Sequence, residues 1–288
     1  MLNEQSIIEV IRARYSCRTY QETPIAQPLQ QQLADFIQAH AVGPMGTRVR
    51  LLLIAAMEED RQALKGLSTY GFIKGATGFI LGAIPHGDFN QEDFGYVMEH
   101  AILYATSLGL GTCWLGGTFA KSRFAATLEL REGELLPAVT AIGYCAAKRR
   151  ILESLIRQQA NADHRLPWER LFFNGAFGIP LDRDAIGPFA TVLEAVRIGP
   201  SASNKQPWRI IKAGTSWHLF LQRTPGYAKR NAMLLDIADM QRIDMGIAMC
   251  HFALTAEELG LRGAWTVQEP DIEKLDALTE YIASWEES

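Results

Sequence analysis

Two short stretches of this sequence carry side chains suited to holding a ligand. In residues 14–18, Arg14 and Arg18 flank Tyr15, Ser16 and Cys17. Guanidinium groups bind phosphate through a planar fork of donors, and a serine adds a hydroxyl. The same pattern also describes an exposed basic helix end, where the helix dipole favours arginine. The second stretch, Pro200 to Trp208, reads PSASNKQPW. The amides of Asn204 and Gln206 both donate and accept, which suits the edge of a heteroaromatic ring with alternating carbonyl and nitrogen groups. Its two prolines and a tryptophan predict a rigid loop rather than an ordinary polar turn.

A third stretch, Gly111 to Thr118, sets Gly116 beside Gly117, where a bound group can approach the backbone closely. Lys148, Arg149, Arg150 and Arg165 form a basic set, read mainly as a solvated charged face. No side chain is nominated as a catalytic acid, base or nucleophile. No Cys/His cluster has metal-ligand spacing, so no metal is expected. Cys17, Cys113, Cys145 and Cys250 read as small buried residues of a reducing compartment, and a cytoplasmic location is expected.

Stepping along the chain, the elements that would hold these stretches recur. Pro24 meets Pro180, Gly43 meets Gly199 and Pro44 meets Pro200, a separation of 156 residues. Further on the separation is 151: Asp93 and Gly95 meet Asp244 and Gly246, His100 meets His251, and Trp114 meets Trp265. Each copy reads as a helix (28–41 and 183–198) ended by Gly-Pro, then a strand (50–56 and 208–213). A long, mostly apolar helix follows (93–108 and 243–259) and ends at Leu-Gly-Leu. Residues 216–222 alternate as a half-buried strand. Residues 136–144 read as a further buried strand of the first copy only. The second copy is expected to end in a polar helix, Asp271 to Glu287, and a helical connector over 148–163 to join the two.

The copies have decayed in a complementary way. Arg14, Ser16 and Arg18 meet Arg170, Phe172 and Asn174, while Ser201, Asn204, Gln206 and Trp208 meet Met45, Arg48, Arg50 and Leu52. Each copy keeps what the other lacks, as expected if one site survives between them. The fold class is therefore α+β, with copies over 1–160 and 161–288 forming a pseudo-dimer within one chain. Such a chain can be monomeric.

Composition sets outer limits. The 288 residues are 48% hydrophobic with a net charge of −4, which gives no global pull toward nucleic acid or an anionic membrane. The longest apolar run, Leu51 to Met57, is far below the roughly 20 residues of a spanning helix, so no membrane segment is expected.

Taken together these residues resemble the nitroreductase family of flavoproteins, and more narrowly the group labelled putative TM nitroreductases. Arg14, Ser16 and Arg18 match an Arg-x-Ser-x-Arg element, and Pro200, Ser201, Asn204, Gln206, Pro207 and Trp208 match a Pro-Ser-x-x-Asn-x-Gln-Pro-Trp loop. Matching stretches include 70–76, Glu99 with His100, 108–117 and 244–251. The resemblance implies FMN bound by Arg14, Tyr15, Ser16 and Arg18 on one side and Pro200, Ser201, Ala202, Asn204 and Gln206 on the other. Gly116 and Gly117 would lie near flavin N5. Arg165 would bind phosphate, with Lys148 the weaker candidate. The internal repeat turns the two sites of an ordinary dimer into one FMN per chain. NAD(P)H would donate hydride in a ping-pong cycle, and a nitro compound, quinone or similar small molecule would accept it. The alternatives are a flavin-binding protein with another task (storage, flavin modification or reductive dehalogenation) and a flavin-free interaction protein.

Overall fold

The computed structural model describes residues 5–56, 64–147, 153–154, 158, 161, 164–227 and 238–288. Lys148, Arg149 and Arg150 lie outside the described residues, as does nearly all of the expected connector over 148–163.

The chain opens with α1 (Ile7–Ala13) and α2 (Gln27–Ala39). Pro28 stands in the first turn of α2, where its missing N–H is no loss. Strands β1 (Arg50–Ala55) and β2 (Gly78–Pro85) precede a long helix, α3 (Asn90–Ser107). After it come β3 (Gly111–Leu115), a short α4 (Lys121–Thr127), β4 (Glu134–Leu135) and β5 (Val139–Gly143). The second part holds β6 (Phe172–Asn174), α5 (Phe189–Ile198), β7 (Trp208–Ala213) and β8 (Ser216–Gln222). It closes with α6 (Met240–Glu258), β9 (Gly263–Thr266) and β10 (Thr279–Glu287).

Two sheets form. The first runs β1-β2-β5-β3 with β4 paired to the end of β2, and the second runs β6-β7-β8-β10-β9. The four strands β7-β8-β10-β9 have the same order and the same antiparallel pairing as β1-β2-β5-β3. β6 adds a parallel edge beside β7.

Two expectations need correction here. Residues 271–287 do not form a helix: Thr279 to Glu287 is β10, antiparallel between β8 and β9. The run 271–280 holds Glu, Lys, Leu and Ala, which favour helix. The following residues Ile282, Ala283, Ser284 and Trp285 are all buried, and their pairing with residues 216–222 and 263–266 outweighs local propensity. β10 also supplies the counterpart of β5 that the second part seemed to lack. The helices expected over 28–41 and 183–198 are shorter than expected as well, for α2 ends at Ala39, before Gly43 and Pro44 are reached, and α5 begins only at Phe189.

α3 and α6 lie back to back at the centre. A Cβ on Gly95 would overlap the Ile243 carbonyl oxygen, and a Cβ on Gly246 would overlap that of Glu92. The two glycines thus let the helix backbones touch. On its other side α3 covers the first sheet, with Phe94, Met98 and Ile102 packed among Ile80, Ile84 and Ile142. On its other side α6 covers the second sheet, with Met249 and Phe252 among Trp208, Trp217 and Trp285. α1 crosses to the far half, setting Ile7, Val10 and Ile11 against Leu103, Ala195 and Cys250. Its first turn is held by Glu258, which accepts from Ser6 Oγ at 2.7 Å and from the Ile7 amide at 2.6 Å.

Gly95→Ala and Gly246→Ala are each expected to destabilise the chain by about 2 kcal/mol or more, because backbone cannot move aside as a side chain can. Gly87→Ala, where nothing lies within 4 Å of the added Cβ, should change stability little. Urea denaturation of the three variants checks this.

Candidate functional site

A cavity of about 680 Å³ opens between the end of α1, the β3 end, the loop after α5 and the first turns of α6. That volume suits a cofactor-sized molecule. Arg14, Tyr15, Ser16 and Arg18 line it, as do Gly116, Gly117 and Arg165. Pro200, Ser201, Ala202 and Asn204 complete the wall on the opposite side. Gln206, Pro207 and Trp208, the end of the second stretch, do not line the cavity.

The arginine stretch is held as an extra strand on the edge of the first sheet. Ser16 bridges Thr112 of β3 in parallel, and the Cys17 amide donates to Thr112 O at 2.8 Å. Arg18 folds back to donate to Ser16 O at 3.2 Å and lies over the Phe72 ring at 5.2 Å. Arg14 is nearly buried. Its Nε is 3.8 Å from Glu99 Oε1, and its Nη1 has no partner among the described residues. A buried guanidinium nitrogen of this kind seeks an acceptor, and here the cavity must supply it.

Glu99 organises this corner. Its Oε2 accepts from Trp114 Nε1 at 2.7 Å, and its Oε1 meets His251 Nε2 at 3.0 Å. His251 Nδ1 is 2.9 Å from the Ala195 carbonyl, which only accepts, so Nδ1 carries a proton. The network joins α3, α6, β3 and the arginine stretch, with Glu99 and His251 fully buried. Residue types alone did not indicate it, although Glu99 and Trp114 both fall in stretches that carried the resemblance.

The loop after α5 is under backbone strain. Ser203, Asn204 and Gln206 all have φ near +50°, unusual for residues with side chains. Its anchors explain how that is held. Gln206 is buried; its Oε1 accepts from the Leu166 amide at 2.7 Å, and its backbone amide donates to Ser201 Oγ at 2.8 Å. Asn204 Nδ2 donates to the carbonyls of Asn161 and His164, and its Oδ1 accepts from Arg165 Nη1 at 3.3 Å. Arg165 also donates to the Ile198 carbonyl at the C-terminal end of α5. The two amides expected to read a ring edge therefore bind the backbone of 161–166 and orient Arg165. Residues 200–204 of the loop line the cavity.

Sequence reasoning passed over the α6 wall. Met240, Ile243 and Ile247 line the cavity with Asp244, whose Oδ1 accepts from the Ala202 amide at 2.9 Å. Burial pushes the Asp244 carboxyl well above the usual carboxylate range, offset in part by that amide. Its signal in the sequence was its match with Asp93 in the repeat.

A second cavity, of about 570 Å³, lies beside α2 and α3, lined by His40, His100, Tyr96 and Tyr104 among others. Phe36 stacks on both His40 and Tyr104, at 4.1 and 3.9 Å between ring centres. Burial, then the nearby His40, push the His100 imidazole down to about 3.

Residues 6–256 match the family model described as Putative TM nitroreductase. The structure is similar to that of a putative nitroreductase from Thermotoga maritima, with a TM-score of 0.60 and 17% identity over 98% of this chain and 94% of that one. The likeness shows a nitroreductase-like α+β fold. A nitroreductase family protein from Clostridium difficile matches 57% of this chain and 94% of its own, at TM-score 0.42 and 20% identity. A nitroreductase with bound FMN from Bacteroides fragilis matches 51% of this chain and 92% of its own, at TM-score 0.39 and 19% identity. No curated protein matches the chain. No helix among the described residues is long and apolar enough to cross a membrane.

Two outcomes follow for stability. Glu99→Gln leaves Arg14 buried without a counter-charge and should destabilise the chain by about 3 kcal/mol, measured by urea denaturation. The folded-state value of His100 is lowered from its ordinary 6.5, so the stability tied to its neutral ring is full above 6.5 and is lost as pH falls toward 3. His100→Phe should flatten the acid side of the stability profile across that window; an unchanged profile would refute the assignment.

Proposed function

The chain belongs to the Putative TM nitroreductase family, and from that premise we propose that it binds one FMN in the 680 Å³ cavity and works as an NAD(P)H-dependent oxidoreductase. The observation that carries this reading is the meeting of Arg14, Ser16, Arg18 and Arg165 with the loop 200–204 and Gly116–Gly117 around a single cavity. The residues fit the group. Arg14 Nη1 is a buried cationic donor with no partner among the described residues, as a phosphate or an electron-rich ring edge would require. Trp114, Ile243 and Ile247 provide an apolar wall for a planar ring.

FMN, when bound, supplies the two-electron chemistry that no side chain here can perform. The chain's own part is to bind, orient and shield. Glu99 and Trp114 fix Arg14. Arg165, Asn204 and Gln206 lock the loop, so its backbone meets the ligand without rearrangement. Met240, Ile243 and Ile247 keep water from one face. A nicotinamide donor and a small nitro, quinone or similar acceptor would take turns at the other.

We read the chain as two diverged nitroreductase-like copies, 1–160 and 161–288, enclosing one site. Support comes from the shared strand order of the two sheets and from the paired glycines at the helix crossing. One chain would then do what a dimer of single copies does.

Flavin extracted from the purified chain should approach one equivalent, and two equivalents would contradict a single site. Arg14→Ala and Asn204→Ala, from opposite halves, should each weaken FMN binding about tenfold or more, followed by flavin fluorescence. Bound FMN should bleach anaerobically with NADH or NADPH; persistence of the oxidised spectrum with both refutes the reductase reading.

A further inference from the structure

Asp93 and Asp244 occupy matching positions on the two central helices, yet their carboxyl groups are used differently. Asp93 is acceptor on both sides: Oδ1 takes the Met45 amide at 2.8 Å and Oδ2 the Thr47 amide at 2.7 Å. Both donors come from the loop 43–47, which follows α2 as the loop 199–206 follows α5. Asp244 uses only Oδ1 in this way, for the Ala202 amide. Its Oδ2 has no partner among the described residues, although the side chain is buried and lines the cavity. No second amide takes the place that Thr47 has beside Asp93, so Oδ2 is buried without a partner in the wall of the cavity.

We propose that Asp244 contacts the bound ligand directly: as a carboxylic acid it accepts from Ala202 through Oδ1 and donates from Oδ2–H to a carbonyl oxygen or imine nitrogen of the planar heterocycle in the cavity. This rests on the reading that FMN fills that cavity. The chemistry follows from the surroundings. No ion pair reaches Asp244 among the described residues, and its neighbours on the same helix face are Met240, Ile243 and Ile247. Burial there favours the neutral acid, and Asp239 in the preceding turn adds to the effect. A neutral acid has one oxygen that accepts and one that donates, and Asp244 has one oxygen that takes an amide and one buried without a partner. A flavin ring offers acceptors at its two carbonyls and its unprotonated nitrogens, and one donor at N3–H. An ionised Asp244 could meet only that N3–H. The two cases are therefore distinguishable.

The test uses the full chain freed of flavin, with FMN and riboflavin as titrants followed by flavin fluorescence. Asp244→Asn keeps the arrangement, since its oxygen accepts from Ala202 and its NH₂ donates to the ring. It should hold both flavins within about threefold of the wild type. Asp244→Leu removes the donor and should weaken both by the same factor, on the order of tenfold. Equal factors matter, because riboflavin lacks the phosphate that the arginines would hold. Loss in Asn as large as in Leu would mean an ionised Asp244 facing a donor, and no loss in Leu would mean no contact; either overturns the inference while leaving FMN binding intact. Wild type that binds no flavin overturns the functional reading and this inference together. Should the Leu variant fail to fold, infrared difference spectra of the wild type decide. A protonated-carboxyl band that is absent in Asp244→Asn should shift when FMN is added, and an unmoved band refutes the contact.

Discussion

The contact of α3 with α6 at Gly95 and Gly246 is the constraint from which the rest of the molecule hangs. Backbone meets backbone there, and each glycine sits where any side chain would strike the opposite helix. Close approach brings the two half-cores within reach of shared residues. Tyr96 packs against three separate clusters, one of them belonging to the second sheet. The same crossing sets Glu99 opposite His251, the bond that ties one half's central helix to the other's. A larger residue at either glycine would therefore disturb both sheets' cover and the polar network at once.

The candidate site draws its rigidity from that crossing and from bonds remote from any ligand. Arg14 is positioned through Glu99, which is positioned through Trp114 and His251. The strained loop at 203–206 is kept by Gln206 and Asn204, neither of which needs to touch a ligand to matter. Strain concentrated beside a cavity, with buried anchors to hold it, is the arrangement expected where backbone groups must already stand in place before binding.

Much of the frame was legible in the sequence. The apolar run of α3 and α6, and the Leu-Gly-Leu at their ends, gave both helices within three residues. The complementary decay of the repeat pointed to residues 14–18 and 200–208 on one cavity. Other parts could not be read locally. β2 is the central strand of the first sheet, yet its run from Gly78 to Pro85 has no alternation, because both of its faces are buried. β10 depends on partners some 60 residues earlier in the chain, such as Trp217 opposite Trp285. The amides of Asn204 and Gln206 were noticed for the right property, donating and accepting at once, but their partners proved to be the backbone of 161–166. Asp244 was visible as half of a matched pair and as the start of the matching stretch 244–251, and its significance lies in how it differs from Asp93.

The bond from Glu258 to the start of α1 has a consequence for how the chain is made. Ile7 and Glu258 are separated by 251 residues. At translation rates of about 5–20 residues per second, the first helix emerges roughly 10–50 s before the carboxylate that anchors it. Ile7, Val10 and Ile11 must spend that interval without Ala195 and Cys250 to cover them. The segment leading into Arg14 thus leaves the ribosome long before the carboxylate that fastens its helix. A nascent chain stalled before residue 258 would have its first helix without the carboxylate that holds the helix start.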